Sequence, residues 1–422
     1  MSVPPLALVF LSLSALAVLV WAWINFGGGY GRSTHHQLPQ PPPEPPPGTA
    51  ATSEANELSG ALPGAFPGVV ILTPGRNEAE HLPTVLPELC EQDYPEFRVV
   101  FVDDASDDAT PEIVAAMTAR YPQLTAVRNT QEPPPGWMGK CWAIHHGYEA
   151  WRAEASPAGS AEPSWLCFTD ADIHWHPRLL RTAMEHALEH DADLVGVTPT
   201  LRFGGPAEAI VQLQLVLALG LLFPFEKAMD PDSPIALTGG AFILVRRSYY
   251  DRLGGHEAVK GEMVEDLKLG AAVKALGAKH RVAVAGDLQW CRMYHGPADM
   301  WEGLTKNAYA GLDHRWWKAL PLCAAVALLN VGPPLYLLAA LVVMACWFSA
   351  AWLGVALLAA AALLLQARAL NAARKLMRLP WPYAWTLPLG SAAYLVITFV
   401  SILHYYTKGN AWKGRRYAAS PL

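Results

Sequence analysis

Two aspartates, Asp170 and Asp172, stand one residue apart directly after the apolar run from Trp165 to Phe168. An uninterrupted apolar run predicts a buried strand, and open α/β sheets bind ligands at the carboxyl ends of their strands. Alternate carboxylates at such an end can share a divalent cation, which proteins hold with one or two carboxylates plus substrate phosphates. Aspartate also favours turns, so a solvated turn is the alternative interpretation, and other charged residues must decide between the two.

A second acidic pair, Asp103 and Asp104, closes the predicted strand Arg98 to Val102. An acid at that position commonly contacts the ribose or base of a bound nucleotide, and helix capping is the alternative role. The residues after the first predicted strand, Thr73 to Glu78, lack the glycine pattern of dinucleotide-binding enzymes, and the chain has no ATPase phosphate loop. A nucleotide site of another kind is therefore expected.

Four further charged residues are candidates for the same site. Lys140 follows Gly139 in a loop that opens a helix, where its ammonium could meet a phosphate; a solvated lysine is the alternative. Glu265 and Asp266 lie in the first turn of a predicted helix from Glu262 to Gly277. The helix dipole favours one acid there, but it does not obviously require the three acids Glu262, Glu265 and Asp266. Arg292 lies in an aromatic-rich stretch.

Strand and helix patterns alternate between Val69 and Gly286, which predicts a parallel α/β sheet that positions these residues. The chain has 422 residues, 52% of them hydrophobic, and a net charge of −6, so a basic nucleic-acid-binding surface is not expected. The six cysteines show no metal-ligand spacing and indicate reduced thiols.

The hydrophobic excess lies in blocks that predict membrane segments. Pro4 to Phe26 is uncharged and long enough to cross a bilayer. The first cation, Arg32, follows it, so the positive-inside rule places the N-terminus outside and the next domain in the cytoplasm. Residues Gln37 to Gly48 include a polyproline run, which predicts a semi-rigid spacer.

The C-terminal part of the chain predicts about three more membrane segments. Ala319 to Ala367 contains no charged residue and fits two spans with a turn near Trp347 to Trp352. A basic connector from Arg368 to Arg378 precedes an apolar segment from Tyr383 to Tyr406. Three crossings would put the cationic tail outside, against the positive-inside rule. A re-entrant segment would remove this conflict, and Pro333-Pro334 makes the first of the three C-terminal segments the best candidate.

A further apolar stretch, Ile210 to Phe225, lies within the predicted catalytic domain. It is shorter than a spanning helix, so it is either a core helix or, as we expect beside membrane segments, a helix in the membrane interface. The aromatic residues before the first C-terminal span match an interfacial belt; they are Trp301, Tyr309, Trp316 and Trp317.

Five motifs occur in the order seen in family 2 glycosyltransferases of the GT-A fold, which the region from Val69 to Gly311 resembles. These are Asp103-Asp104, Gly136-Trp137-Met138-Gly139-Lys140, Asp170-Ala171-Asp172, Glu265-Asp266 and Gln289-x-x-Arg292. The N-terminal anchor, the three C-terminal segments and Trp412 to Tyr417 are similar to the hopene-associated glycosyltransferases and, more broadly, to ceramide glucosyltransferases. Met293 replaces a tryptophan that the processive polysaccharide synthases carry, which counts against processivity.

The resemblance implies a role for each candidate. Asp104, with Asp103, binds the base or ribose of a nucleotide sugar, expected to be UDP-linked, and Asp172 with Asp170 holds Mg²⁺ or Mn²⁺ on its diphosphate. Asp266 is the general base, next to Glu265. The remaining residues contact the donor or stabilise the leaving diphosphate: Glu78, Lys140, Gln289 and Arg292. The acceptor is expected to be a membrane lipid, with a hopanoid or its polyol derivative the best single candidate.

The expected organisation is an α/β domain of the GT-A mixed-sheet type combined with membrane helices. It comprises an anchor (1–28), a Pro-rich linker (29–66), the GT-A domain (67–316) with an interfacial helix at 208–225, a transmembrane region (317–407) and a basic tail (408–422). The expected location is a bacterial inner membrane with the catalytic domain in the cytoplasm. A processive polysaccharide synthase and a non-catalytic membrane binding protein are the alternatives. A transporter would usually need intramembrane ionisable residues, which Ala319 to Ala367 lacks.

Overall fold

The computed structural model describes residues 4–27, 36–41, 66–154 and 163–407, and the backbone of 410–412 and 415–417. Arg32, most of the polyproline spacer, and Lys408 and Lys413 of the tail lie outside the described residues. The chain divides into two compact units. The sheet unit comprises His36–Thr200 and Phe225–Cys291, and the helical unit comprises Met1–His35, Leu201–Pro224 and Arg292–Leu422.

Strands β1, β2, β3, β4, β8, β6 and β9 form a seven-stranded sheet, in the order β3-β2-β1-β4-β8-β6-β9. The strand bounds are β1 Val69–Gly75, β2 Phe97–Asp104, β3 Leu124–Asn129, β4 Trp165–Phe168, β5 His174–Trp175, β6 Leu194–Thr198, β7 Thr200–Leu201, β8 Ile243–Arg246, β9 His280–Val284 and β10 Gln289–Cys291. β5 and β10 pair antiparallel outside this sheet, with Gln289 opposite Trp175.

The sheet is mixed, whereas strand and helix alternation alone predicted a parallel one. β1 runs parallel to β2 and β4, but β8 is antiparallel to both of its neighbours, β4 and β6. The chain therefore enters β8 at the carboxyl end of β4. Two hydrogen bonds fix this entry, because Asp170 N donates to Gly240 O (3.0 Å) and Thr169 Oγ1 donates to Ala241 O (2.8 Å). Gly240 is thereby placed beside Asp170.

The sheet unit also contains helices that pack against the sheet. Apolar side chains of the strands and of the helices form a shared buried core. Val70, Leu72, Leu166 and Val245 contribute to one core cluster and are fully buried. The near-continuous apolar runs of these strands follow from burial on both faces. The helices are α2 Leu82–Cys90, α3 Thr110–Arg120, α4 Gly139–Glu154, α5 Leu179–Glu189, α7 Phe225–Met229, α8 Arg247–Leu253 and α9 Glu265–Ala275.

The helical unit contains the apolar segments. Its helices are α1 Pro5–Ala22, α6 Pro206–Leu222, α10 Pro297–Ala310, α11 Trp316–Val326, α12 Gly332–Cys346, α13 Ala350–Leu376 and α14 Leu387–Thr407. Among the described residues, four helical stretches are long and apolar enough to cross a membrane. They are Pro5–Phe26, Trp316–Cys346, Ala350–Leu376 and Leu387–Thr407. A short connection joins α12 to α13, within the predicted turn, and exposes Trp347 and Phe348.

The backbone from Trp316 to Cys346 does not reverse at Pro333-Pro334. A π-helix, Ala327–Val331, joins α11 to α12, and both Val326 and Val331 keep right-handed helical dihedral angles. In the interior of a helix, proline removes a backbone hydrogen bond, and the π-helix that leads into Gly332 is the local adjustment found next to Pro333. The stretch is therefore helical throughout, with the π-helix within it, and the described backbone gives no support for a re-entrant loop at this position.

Candidate active site

The loops after β1 and β2 are joined by hydrogen bonds, and together they form one end of the site. Asn77 N donates to Ser106 Oγ (2.9 Å), and Asp107 N donates to Asn77 Oδ1 (3.0 Å). Glu78 N donates to Thr110 Oγ1 (2.9 Å). Asn77 and Ala105 both adopt left-handed backbone angles, with φ of 56°. The parallel register brings the carboxyl ends of both strands to the same edge of the sheet.

Asp103 and Asp104 are buried at the end of β2, and their carboxylates have different partners. Asp103 Oδ1 accepts a hydrogen bond from Ser106 N (3.0 Å), and its other oxygen lies 3.4 Å from Arg128 Nε. Asp104 Oδ1 accepts one from Asn129 Nδ2 (3.0 Å). Asp103 thus shapes the loop after its own strand, as a capping residue does. Asp108 caps α3 in a similar way, since it accepts from Thr110 N (2.9 Å).

Lys140, at the start of α4, joins two of the predicted acids. Its Nζ lies 2.6 Å from Asp170 Oδ1 and 2.7 Å from Glu265 Oε1. Burial by itself lowers the pKa of Lys140, but the carboxylates of Asp170, Glu265 and Asp266 outweigh burial and hold the pKa well above its ordinary value. The alternative of a solvated lysine therefore does not hold: Lys140 is the central cation of an acidic cluster.

Asp266 is held by backbone amides on both carboxylate oxygens. Gly240 N donates to Oδ2 (2.8 Å), and Leu267 N donates to Oδ1 (2.8 Å). Burial raises the pKa of Asp266, and Lys140 and these two amides oppose the rise without cancelling it. Burial likewise raises the pKa of Glu265, against the effect of Lys140. A fixed carboxylate with raised proton affinity has the properties of a general base.

Asp172 lies beside Asp170 and near Glu78. Burial raises the pKa of Asp172 to about 6, and the charges of Asp170 and Glu78 add to the rise. Carboxylates that repel one another in a partly buried site are stabilised by a bound cation. No cluster of three or more His, Cys, Asp or Glu side chains suited to a metal occurs among the residues that the structure describes. Two carboxylates fit an ion that takes its other ligands from phosphate and water.

Gln289 lies at the start of β10 and is fully buried. Its Nε2 donates to Ala241 O (2.9 Å), the carbonyl that also accepts from Thr169. Its side-chain oxygen is buried without a hydrogen-bond partner among the described residues. Such an atom is costly to leave unpaired, and the place of Gln289 in the donor site stays a prediction.

The sequence analysis missed two residues of this site. Gly240 donates to Asp266, and a Cβ there would lie 2.6 Å from Asp170 Oδ2 and 2.8 Å from Lys140 Nζ. Thr238 Oγ1 donates to Asp266 O (2.6 Å). The glycine pair Gly239-Gly240 stands directly before the apolar run from Ala241 to Val245. Glycine beside a strand often marks close approach of the backbone, so this pair could have pointed to the site.

Arg292 belongs to the helical unit, so the structure does not group it with the acids above. Its guanidinium lies 3.0 Å from Glu208 Oε1 in the first turn of α6. Glu208 is buried and also accepts from Gly204 N (2.6 Å). A Cβ at Gly204 would require the Arg292 guanidinium to shift.

Comparison with known proteins shows what this part of the chain is similar to. Residues 70–254 match the family described as Glycosyl transferase family 2. The match covers less than half of the chain, so over this segment the chain is similar to family 2 glycosyltransferases. The mixed sheet of the sheet unit is of the GT-A type, as the resemblance implied.

The chain is similar to a curated protein, the 4,4′-diaponeurosporenoate glycosyltransferase of Staphylococcus aureus (strain USA300), which is 25% identical over 252 residues. The alignment covers 58% of this chain and 61% of the relative, less than two thirds of its length. The structure of the mannosyltransferase PcManGT from Pyrobaculum calidifontis, in complex with GDP-Man and Mn²⁺, is 20% identical with a TM-score of 0.47 and covers 92% of this chain and 99% of that one. S. aureus TarS 1-349 with UDP is 18% identical with a TM-score of 0.36, covering 82% and 95%.

Proposed function

We propose that this chain is a membrane-bound glycosyltransferase that moves one sugar from a nucleoside diphosphate sugar to a hydroxyl group of a membrane lipid. The setting of Asp266 carries the proposal. Two backbone amides fix its carboxylate, burial raises its pKa, and Lys140 with Asp170 and Glu265 lies directly beside it. A family 2 glycosyltransferase domain supplies the reaction class.

In the proposed reaction Asp266 accepts the proton of the acceptor hydroxyl as its oxygen attacks the anomeric carbon. The new carbon–oxygen bond forms on one face of the sugar while the bond to the diphosphate breaks on the other, so the anomeric configuration inverts. The transition state has oxocarbenium character, as in glycosidases. Proton transfer to a positioned base contributes about 10²–10⁴-fold to the rate of such reactions.

The donor is proposed to lie across the carboxyl ends of β1, β2 and β4. Asp104 and Asp103 bind the base and ribose, and we propose uridine as the nucleoside. Lys140 and Gln289 face the diphosphate, and Glu265 holds Lys140 in place. Arg292 is bound to Glu208 in this structure, so its predicted contact with the diphosphate requires that ion pair to open.

Asp170 and Asp172 are proposed to hold Mg²⁺ or Mn²⁺, because their charges are close together and the fit tested above allows two protein carboxylates. When bound, the ion supplies positive charge that neutralises the departing diphosphate. Asp170 would hold such an ion in place of Lys140, whose ammonium would then be available to the phosphate oxygens.

The acceptor is proposed to be a lipid because the chain has four helices that can cross a membrane. The curated relative is named for a lipid-like carotenoid acid. A hopanoid or its polyol derivative remains the best single candidate, on the resemblance stated above. The exposed Met293 replaces the tryptophan of processive synthases, which favours transfer of one sugar over polymer growth.

We place the protein in a bacterial inner membrane with its catalytic domain in the cytoplasm. The charges that support this orientation are Arg32 after the first segment and the basic end of α13, which carries Arg368, Arg374 and Lys375. Cations flanking membrane segments mark the cytoplasmic side.

The proposal is tested by incubating purified protein with a panel of radiolabelled nucleotide sugars and total membrane lipid. We expect label from one UDP-sugar to enter the organic phase as a single glycolipid, and the Asp266→Asn variant to form none. Deleting the gene in its host and profiling lipids then identifies the acceptor. An unchanged glycolipid profile with loss of a soluble glycan contradicts the proposal.

A further inference from the structure

A cavity of about 340 Å³ lies within the helical unit, between the end of α1 and helices α6, α11 and α14. Small-molecule sites in proteins have volumes of about 300–1,000 Å³, so this cavity can hold a ligand. Most of its lining is apolar, and it includes Trp21, Leu217 and Val326. Leu222 and Leu322 line it and are also exposed on the helix surface, so the cavity is reached from the side of the helices.

The polar groups of the cavity are held in a fixed arrangement. Asn330 Nδ2 donates to Ser391 Oγ (3.0 Å), which donates to Gln214 Oε1 (3.3 Å). The carbonyl of Leu329 accepts from both Trp21 Nε1 (3.1 Å) and Gln366 Nε2 (2.8 Å). These bonds satisfy backbone and side-chain groups near the π-helix that would otherwise be costly inside a membrane.

The hydroxyl of Tyr394 is the exception on this wall. Tyr394 lines the cavity, and its hydroxyl is buried with no hydrogen-bond partner among the described residues. A buried hydroxyl without a partner is unfavourable unless a ligand supplies one. The cavity therefore combines an apolar body with one unused polar group, which matches an amphipathic molecule that carries a hydroxyl or carboxyl group.

We propose that this cavity binds the apolar part of the acceptor lipid, and that the hydroxyl of Tyr394 forms a hydrogen bond with a polar group of that lipid. The inference rests on the proposed function, because it identifies the occupant as the acceptor. A membrane lipid is the committed occupant because the cavity borders α1, which is long and apolar enough to cross a bilayer, and is reached through exposed apolar side chains.

Two variants test the site. Ala325 lines the cavity, and Ala325→Phe fills part of it, whereas Ala324→Phe adds the same side chain at a neighbouring exposed position outside the lining. Tyr394→Phe removes only the unpaired hydroxyl. We expect Ala325→Phe and Tyr394→Phe to raise the KM for the lipid acceptor at least about tenfold, with the KM for the nucleotide sugar unchanged, and Ala324→Phe to match the wild type.

A binding measurement separates this inference from the proposed function. A long-chain alcohol with a photoreactive diazirine is crosslinked to the full-length protein in detergent, and the labelled peptides are identified. We expect saturable labelling of α11 and α14 that Ala325→Phe abolishes and Ala324→Phe retains. Equal labelling of both variants, or unchanged acceptor KM in both cavity variants, overturns the cavity site and leaves the proposed function intact. Saturable labelling with no transfer to any lipid overturns the proposed function and the assignment of the occupant as acceptor.

Different contacts carry a second inference, about the last helix. Helices α1, α12 and α13 pack as a three-helix bundle, defined by Ala7, Tyr336 and Trp352 at one end. Its other end is marked by Asn25, whose Nδ2 donates to Leu365 O (3.0 Å), and by Trp21, which donates to Leu329 O. At about 1.5 Å per residue, the 22 residues of Pro5–Phe26 already span about 33 Å, the thickness of the hydrocarbon core.

Helix α14 begins at this second end and runs away from the bundle along α11. Ser391 near its start contacts Asn330, whereas Tyr405 near its end packs with Ala319 and Tyr309. One face of α14 is exposed and apolar, with spacings of three, four and seven residues; it comprises Leu389, Val396, Phe399, Leu403 and Tyr406. Trp316 and Trp317 at the start of α11 are also exposed.

We infer that α14 lies in the plane of the membrane, on the side where α1 ends, and does not cross it. Its apolar face then meets lipid as in interfacial helices. The tail cations, which include Lys408 and Arg416, come to lie on the same side as Arg368. This arrangement satisfies the positive-inside rule that three C-terminal crossings would break.

Cysteine labelling of intact cells tests the inference. Wild-type cysteines are first replaced, and a single cysteine is then introduced at Ser349, between α12 and α13, or at Leu422, the C-terminus. We expect an impermeant maleimide to label Ser349→Cys in intact cells and Leu422→Cys only after permeabilisation. Labelling of both in intact cells means that α14 crosses the membrane and overturns the inference.

Discussion

The ammonium of Lys140 lies 2.6 Å from the carboxylate of Asp170, which is also a proposed metal ligand. The same ammonium contacts Glu265 at 2.7 Å. Lys140 thus offsets part of the negative charge of the acidic cluster. A metal ion on Asp170, as proposed above, would compete with Lys140 for the same carboxylate.

Replacing Lys140 should therefore affect both stability and donor binding. In Lys140→Met the acids lose their central counter-ion. Breaking a fully buried ion pair costs about 3–5 kcal/mol, and less is expected here because the Lys140 side chain keeps 23% of its exposure. We expect a lower thermal unfolding temperature and weaker nucleotide-sugar binding. Lys140→Arg keeps the charge and should recover most of the stability, and equal losses in both variants would contradict the counter-ion role.

Gly240→Ala should inactivate the enzyme while leaving it folded. The added Cβ would lie 2.6 Å from Asp170 Oδ2 and 2.8 Å from Lys140 Nζ, so both side chains must move. Misplacing reacting groups by about 1 Å can cost about 100-fold in rate, and we expect a loss in kcat/KM of that order. The matched control is Gly239→Ala, where a Cβ would meet nothing within 4 Å. A rate equal to the control would show that the close approach at Gly240 does not matter.

The sequence located the charged residues of this cluster but not their geometry. The acids after β2 and β4 were found because apolar runs ending in carboxylates are local patterns, and both strands lie close to their predicted positions. The antiparallel direction of β8 depends on pairing with distant strands, which no local pattern encodes. The role of Gly240 follows from that direction, so the sequence analysis could not assign it.

The ion pairs of Arg292 and Lys140 likewise could not be predicted from local patterns. A solvated Lys140 was the alternative interpretation, yet Lys140 contacts two acids that lie 30 and 125 residues away in the sequence. The partner of Arg292 is Glu208, an acid that no motif distinguished. Composition and hydropathy, in contrast, located all four long apolar helices, because membrane segments are defined by local sequence alone.

Donor binding should depend on a divalent metal and on pH. Asp172, with its pKa raised to about 6 by burial and by Asp170 and Glu78, must lose its proton before it can ligate an ion. Below pH 6 we expect Mn²⁺ affinity to fall by up to about tenfold per pH unit, because each bound ion then displaces one proton. Titration of Mn²⁺ by calorimetry at several pH values measures this. Full turnover in excess chelator, or a wild-type rate in Asp172→Ala, would remove the metal role.

Acid should destabilise the sheet unit through His256. Its Nδ1 lies 2.8 Å from the Tyr250 hydroxyl, which also accepts the His256 backbone N–H (3.2 Å) and so donates its own proton to the ring. Burial lowers the pKa of His256 to about 3, helped by the charge of Lys140. The folded state therefore keeps this ring neutral, and its stability falls as the pH drops from about 6.5 towards 3, by up to about 1.4 kcal/mol per unit. Thermal unfolding of His256→Gln between pH 7 and 4.5 should show a smaller decline than the wild type, and an identical decline would contradict this origin.

Replacing Asp104 should weaken donor binding first. Asp104 is buried at the end of β2 and is fixed by Asn129. Asp104→Asn should raise the Kd for the nucleotide sugar more than it lowers the rate at saturating donor. Equilibrium binding of the donor with single-turnover rates separates the two quantities, and an unchanged Kd would place Asp104 outside the donor site.

The most direct test of the account is the Asp266→Asn variant, measured for donor affinity and for sugar transfer to lipid with the same preparation. Asparagine keeps an acceptor oxygen for only one of the two amides, those of Gly240 and Leu267. Donor binding therefore also serves to report whether the site remains folded. We predict that transfer falls by about 10²–10⁴-fold while the donor Kd stays unchanged, because a general base acts on the acceptor. Equal losses of donor affinity and rate, or transfer at the wild-type rate, would contradict the assignment of Asp266 as the base.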